Sequence, residues 1–440
     1  MKKLAALLMA LVLLFTLAAC GGDKEKTGTD ADGASQQETS SDKSSEDSVQ
    51  ENDEKDKLVM SFTEFVAVDN ENYTIKITEL EPGNLAGYGI GMQIENKNKE
   101  VGYNFTADVV SINGIDVETF FTEDVPAGKK ARVSMFLDDT IIKENGITEY
   151  TDIEILLSVG DAEDWLAEPL GKETIHIYPY GEDKAQKYSR KNKVTDIVVL
   201  DNDEIEMTVI GWGEDDYNDY ELKFYLENKS EDVTYMYSVE SCAVNGVEIA
   251  AINAYIVSPG KVAFGEFGVY DETLEDNLIT EFTDIKLTLR VFDSDDWTAD
   301  DVAFETVNIY PQGKEKAVKF ERPAKDTDKI IVDNDYATVI VTGVDDSDEY
   351  FTSLEFFYIN KTDKDLVFSI EDASINDNMI DPFYADSVGP GNCKFSTADW
   401  DKDEIAEAEI TEIESFQFSI RAYDSESFDE YFKESITYNP

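Results

Sequence analysis

Few side chains here are equipped for chemistry, and their types narrow it at once. The 440 residues hold one histidine, His176. A two-histidine metal site is excluded, and one imidazole is left for acid–base work. His176 alternates with Ile175 and Ile177 ahead of Tyr178-Pro179, and Asn308 stands in the matching place further on, so it reads as an outward polar position on a strand. Cys242 and Cys393 lie far apart at non-equivalent points and read as buried, unpaired thiols. There is no nucleophile motif and no Gly-rich phosphate loop.

Acid is the dominant chemistry. Asp and Glu number 96 against 37 Lys and Arg, for a formal net charge of −59. That balance argues against nucleic acid as a partner, which calls for basic stripes, and against adsorption to anionic lipid through a basic face. Glycoside hydrolysis needs two carboxyls at a fixed separation in a pocket, and abundance alone supplies neither. The recurring acidic clusters are Asp161-Ala-Glu163-Asp164, Asp293-Ser-Asp295-Asp296 and Asp424-Ser-Glu426. Calcium takes about six to eight oxygens, many of them carboxylate, so these residues are the candidate metal ligands. No Asp-x-Asp-x-Asp-Gly loop accompanies them. The same residues also read as solvated turns that cap a short helical segment carrying Trp165 or Trp297.

Aromatic and basic residues complete the candidates. Trp165 and Trp297 match in position, with Phe428 near the equivalent place, and are expected to pack rather than to form a sugar platform. The stretch from Trp212 through Tyr217 to Tyr220 interleaves aromatics with acids; it reads as strand-edge packing, with stacking on a glycan or peptide as the alternative. Two basic islands interrupt the acid: Lys184, Lys187, Arg190, Lys191 and Lys193, then Lys314, Lys316, Lys319, Arg322 and Lys325. They are expected to lie against acidic neighbours and set the pose between units, with an anionic wall polymer as the alternative ligand.

The elements that position these residues begin with an address. Lys2 and Lys3 precede an uncharged run from Leu4 to Ala19, the layout of a secretory signal peptide and short for a membrane span. Residues 20–57 are rich in Ser, Asp, Glu, Gln, Gly and Lys; they cannot bury enough surface to offset ordering entropy and read as a disordered acidic tether.

The remainder repeats itself. Asp69-Asn70 recurs as Asp201-Asn202 and Asp333-Asn334, with 69, 201 and 333 stepping by 132; Asn96-Lys97 recurs as Asn228-Lys229 and Asn360-Lys361 at the same step. Asn113-Gly114 returns as Asn245-Gly246 and as Asn376-Asp377, and Ile177-Tyr178-Pro179 as Ile309-Tyr310-Pro311. A step this long makes each copy a whole domain, over 58–182, 183–314 and 315–440. Apolar residues alternate within each copy, as in Tyr88, Ile90, Met92 and Ile94, or Leu222, Phe224 and Leu226. Seven or eight short half-buried strands per copy predict an all-β chain of three tandem antiparallel β-sandwiches, with helical turns near Asp139–Asn145 and Glu272–Asn277.

Two resemblances follow. Leu17-Ala18-Ala19-Cys20 resembles the bacterial lipobox, which implies cleavage before Cys20, diacylglyceryl attachment to its thiol and anchoring on the outer face of the cytoplasmic membrane. The run Phe224 to Ser230, then Val244-Asn-Gly-Val247, then Ser258-Pro-Gly-Lys261, resembles the immunoglobulin-like modules of Gram-positive surface lipoproteins, many of which have no assigned activity. The antibody-type Cys…Trp…Cys core is absent. The expected role is non-catalytic binding or spacing at the cell envelope, toward an unidentified envelope or extracellular ligand. A calcium-dependent adhesin, a glycan- or peptide-binding module, and an envelope enzyme of unrecognised type are the alternatives. The β repeats argue against a solute-capturing lipoprotein of two-lobed α/β fold.

The lipobox reading makes a direct prediction. Cys20→Ala should abolish acylation and move the protein from the membrane fraction to the medium, or leave it unprocessed; normal processing with unchanged detergent-phase partitioning would refute it.

Overall fold

A computed structural model describes residues 58–440 apart from 85, 118, 165–166, 215–218 and 251–252. The signal peptide, the tether, Cys20, Trp165 and Tyr217 lie outside the described residues. The chain is all-β, three tandem antiparallel sandwiches of immunoglobulin-like type.

The first repeat runs β1 (Phe65–Asp69), β2 (Tyr73–Asn84), β3 (Gly87–Asn96), β4 (Tyr103–Ile112), β5 (Ile115–Val117), β6 (Thr122–Val125), β7 (Lys130–Leu137), helix α1 (Thr140–Glu144), β8 (Ile153–Asp161) and β9 (Gly171–Ile177). The second runs β10 (Ile197–Asp201), β11 (Ile205–Glu214), β12 (Tyr220–Asn228), β13 (Tyr235–Val244), β14 (Val247–Ile249), β15 (Asn253–Val257), β16 (Val262–Val269), α2 (Asp271–Asp276), β17 (Ile285–Asp293) and β18 (Ala303–Ile309). The third repeats the plan with β19 (Lys329–Asp333), β20 (Ala337–Asp345), β21 (Phe351–Asn360), β22 (Leu366–Ile375), β23 (Asn378–Met379), β24 (Ala385–Val388), β25 (Cys393–Asp401), α3 (Lys402–Glu407), β26 (Phe416–Asp424) and β27 (Glu430–Tyr438). Among the described residues each repeat has nine strands where alternation suggested seven or eight. The short β5, β14 and β23 return from the Asn-containing turns and are too brief for a period of two to show. The third helix, α3, had no sequence expectation.

In every repeat one sheet holds the first, second, third and seventh strands and the other holds the rest. Their inner faces form three apolar clusters. Ile75, Ile77, Ile90 and Phe105 sit in the first, Phe224, Tyr237 and Leu287 in the second, Phe356, Phe368 and Trp400 in the third. Trp400 is fully enclosed, and its Nε1 donates to the Ile380 carbonyl at 3.0 Å, so its polar end is satisfied.

The sequence landmarks are the places where the sandwich must satisfy its own backbone. Asn96, Asn228 and Asn360 are buried. Asn228 Nδ2 donates to the carbonyls of Val233 and Val257, both at 2.8 Å, and its Oδ1 accepts from Ser230 N at 2.9 Å. Asn96 and Asn360 hold the matching carbonyls, Val101 with Val125 and Lys364 with Val388. The lysine that follows reaches back to the Asp-Asn turn: Lys229 Nζ lies 2.7 Å from Asp201 Oδ1 and 2.9 Å from the Asn202 carbonyl, and Lys97 and Lys361 do the same in their repeats. Asn113 and Asn245 adopt φ of 52° and 54° at a hairpin turn. That left-handed geometry aims each Oδ1 at two backbone amides and a threonine hydroxyl before the eighth strand: Thr151 and Asp152, or Thr283 and Asp284.

Asn228→Ala should strand the buried Val257 carbonyl and the half-buried Val233 carbonyl. The expected loss is about 2–3 kcal/mol of stability, measured by denaturant unfolding of the full chain. Asn98→Ala, at a partly exposed turn of the first repeat, should cost less.

Candidate functional site

The most elaborately built features in the chain are the joints between repeats. The sheets do not stop at repeat boundaries. Strand β5 pairs in parallel with β16 at Ile115 and Val262, and β14 with β25 at Val247 and Cys393, which makes two nine-stranded sheets. Val262 N donates to the Gly114 carbonyl at 3.0 Å and Cys393 N to the Gly246 carbonyl at 2.8 Å. The linker joins in, with Tyr188 N on the Asn113 carbonyl at 2.7 Å and Phe320 N on the Asn245 carbonyl at 2.9 Å. Across each joint aromatic rings meet. Tyr188 packs edge-on against Phe264, beside Tyr225; Phe320 packs against Phe357 and Phe395. Tyr225, Val262 and Phe264 belong to the first repeat's apolar cluster, and Phe357 and Cys393 to the second's.

One arginine locks each linker. Arg190 forms a two-pronged pair with Asp196 at 2.7 and 2.8 Å, and Arg322 an identical one with Asp328 at 2.7 and 2.8 Å. Both pairs are largely shielded from water. The guanidinium groups lie 5.6 Å from the Tyr225 ring centre and 5.5 Å from that of Phe357. The arginine bonds hold both aspartates below the usual carboxylate range. This corrects the expectation for the basic islands: their arginines pair inside the linker rather than with acid on the neighbouring sandwiches. Lys187 lies along Gly114. Lys261, a residue outside the islands, makes the direct charge contact across the first joint, to Glu154.

An acid completes each joint. Asp116 accepts from Ser258 N at 2.7 Å; Glu248 accepts from Gly389 N at 2.5 Å and Asn392 Nδ2 at 2.7 Å. A Cβ on Gly389 would stand 2.5 Å from the Glu248 carboxylate, so the close approach requires glycine there. Burial pushes both acids above their ordinary values, and the hydrogen bonds from the following repeat pull the other way.

The sequence candidates do not converge on one another. His176 is half-exposed, 3.1 Å from Asp152, and stacked on Tyr178; Asn308 meets Asp284 at 2.9 Å in the same place. Cys242 and Cys393 are buried and unpaired, and burial raises Cys393 to about 12 and Cys242 further. Asp161, Asp293 and Asp424 each accept the backbone amide two residues on, at 2.9 Å, and so close turns. Among the described residues no three of His, Cys, Asp and Glu converge on a metal position, and that includes Glu163, Asp164, Asp295, Asp296 and Glu426. Trp212 packs on the second core, and Tyr220 stacks on Phe282 at 3.5 Å. Trp297 and Phe428 depart from the packing expectation: both are exposed, at 59% and 68%. Phe428 keeps one ring contact, stacked on Tyr423 with centres 6.1 Å apart. Sequence reasoning also missed a cleft of roughly 550 Å³ in the second repeat, lined by Asp203, Glu204, Tyr235, Asp293, Asp300 and Asp301. Those residues come from the β10–β11 turn, the start of β13, and the end of β17 with the loop after it, and no linear motif links them.

No protein-family model matches the chain, and no curated protein does. Among solved structures it is similar to red sea bream transglutaminase at 8% identity and a TM-score of 0.15, over 53% of this chain and 31% of that one. It is also similar to the chicken CNTN1 FN1–FN3 domains at 10% identity and a TM-score of 0.14, over 83% and 97%. The chain thus spans about a third of the transglutaminase. At these TM-scores neither likeness bears on function.

The joint acids make a prediction with a definite sign. A carboxyl raised by folding destabilises the folded state when ionised, so stability should rise as pH falls from 7 through the raised values of Asp116 and Glu248. Below about pH 4 the lowered Asp196 and Asp328 reverse the trend, since their contribution is lost as pH falls through their folded values. Asp116→Asn with Glu248→Gln should flatten the rise seen as pH falls from 7 toward the ordinary carboxylate range, in urea unfolding of the full chain. Equal slopes in variant and wild type would refute the assignment.

Proposed function

We propose that this is a lipid-anchored protein of the outer face of the cytoplasmic membrane, non-catalytic, which presents three mutually fixed sandwiches to the cell envelope as a spacer that carries a binding surface. The observation that supports the spacer reading is the joint itself, built twice from the same parts: a parallel strand bridge, an aromatic cradle, a buried arginine–aspartate pair and an acid on the next repeat's turn. A freely jointed chain of domains has no use for such a structure. Flexible linkers are polar and make few contacts, whereas here each linker is hydrogen-bonded to the repeat before it. Lipid on Cys20 would hold the chain at the membrane.

The test is the relative placement of repeats in solution. The joint pairs are buried, so salt should screen them little. Small-angle scattering of the full chain should give the same distance distribution at low and high salt. Removing one partner of a buried pair costs about 3–5 kcal/mol, so Arg190→Ala with Arg322→Ala should broaden that distribution at both salts. A wild-type distribution that widens with salt, or a double variant that matches wild type, would overturn the reading.

A further inference from the structure

The second repeat differs from its neighbours on one face. On the outward side of its β13–β15–β17–β18 sheet, Ile256, Met236 and Phe292 stand side by side in a cross-strand row. The adjoining row is Ala254, Ser238, Arg290 and Phe304. Ile256 and Phe304 are 51% and 59% exposed. Phe292 is covered by Arg290, whose guanidinium lies 4.2 Å from the ring centre and whose Nε is held by Asp301 at 2.8 Å.

Strand register supplies an internal comparison. Where the second repeat has Ile256, the first has Asp124 and the third Ser387; for Met236 they have Asn104 and Val367. Phe292 becomes Gly160 and Tyr423, and Phe304 becomes Lys172 and Lys433. In the first repeat Asn104 bonds Thr122 and Asp124; in the third Lys433 bonds Glu371. The third repeat keeps Val367 and Tyr423 in this row, with Arg421 4.6 Å over the Tyr423 ring as Arg290 lies over Phe292, so the apolar side chains peculiar to the second repeat are the exposed Ile256 and Phe304. The fold does not require the apolar residues, and water penalises them by about 25 cal/mol per Å² of apolar area. Exposed apolar side chains at positions where both neighbouring units carry polar ones mark a candidate interaction site.

Charge identifies the partner. The β17–β18 loop borders the patch and carries Asp293, Asp300 and Asp301, and the acidic cleft opens on the same loop. The basic group within the patch, Arg290, is already bound to Asp301. We propose that the outward face of the second repeat docks an extended segment of a partner protein, apolar at its centre and basic at its flanks. The apolar side chains cover Ile256, Met236 and Phe304 around the Arg290 cap on Phe292, and the basic flank enters the cleft across the loop. This rests on the reading of a non-catalytic binder and adds the place and the partner's chemistry.

The test uses the full chain and a fluorescein-labelled synthetic peptide with a valine–leucine block between tri-lysine flanks, read by anisotropy. Controls keep the flanks around a glycine–serine block, or replace the lysines by glutamates. Ile256→Asp with Phe304→Lys places residues that the neighbouring repeats already carry at these exposed positions, so folding should be preserved and thermal unfolding should show it. The double variant should weaken binding of the valine–leucine peptide about tenfold or more, and Val198→Asp on the other sheet should not. Equal binding of the glycine–serine peptide would reduce the effect to bulk charge attraction and overturn the proposal; so would a double variant that binds like wild type. Loss of binding to a neutral β-1,4-glucan oligosaccharide in the double variant, with peptide binding unaltered, would overturn it in favour of a glycan. Repeat placement by scattering should be unchanged in the double variant, so failure of this proposal and failure of the spacer reading remain separate results.

Discussion

The structure depends on a hydrogen bond that no repeat can make alone. At the tip of the hairpin after the fourth strand, the Gly114 and Gly246 carbonyls point out of their own sandwich and receive the amides of Val262 and Cys393. Everything else at the joint keeps that bond dry and aligned. The positive φ of Asn113 and Asn245 turns the chain so that the glycine carbonyl is presented. The linker amide of Tyr188 or Phe320 takes the neighbouring carbonyl, and the aromatic ring that follows excludes water. Two edges that would otherwise be left open for unwanted pairing are covered in the process.

The same economy explains how the chain carries a net charge of −59. Self-repulsion opposes compaction when charges are crowded and unpaired. Much of the acid here is spent locally: Asp69, Asp201 and Asp333 hold the lysines that close their own turns, and Asp161, Asp293 and Asp424 hold backbone amides. Two of the five arginines, Arg190 and Arg322, are used where a planar, two-pronged donor is needed, in the linkers.

The repeats are alike in frame and unlike in surface. In the first, Gln93 faces Arg132 on β3 and β7, where the later repeats have Tyr225 with Phe264 and Phe357 with Phe395. It has the strands of a receiving face without the aromatic cradle. In the third, Asn378 and Met379 occupy the edge that β5 and β14 use to bridge forward, and Met379 is exposed. Among the described residues no repeat packs on either surface, and neither carries the residues that build a joint.

The sequence by itself determined the class of fold, the number of repeats and their landmarks. Alternation of Tyr73, Ile75 and Ile77, or of Leu222, Phe224 and Leu226, reports a half-buried strand directly, because side chains in a strand point to opposite faces at a period of two. The asparagine and lysine pairs were legible as turns, though not as the buried brackets they are, since each asparagine joins a carbonyl of its own loop, Val101 or Val233, to one on a distant strand, Val125 or Val257. Only the tertiary structure decided the joints, the cleft and the apolar face. Arg190 and Lys191 read alike as a basic island, and which one is buried depends on the path of the linker over the next sandwich. Ile256, Met236, Phe292 and Phe304 come from four strands, and each alone is one more apolar residue in a strand pattern. A patch is a property of register, and register across strands is set by hydrogen bonds between distant segments, which no linear spacing records.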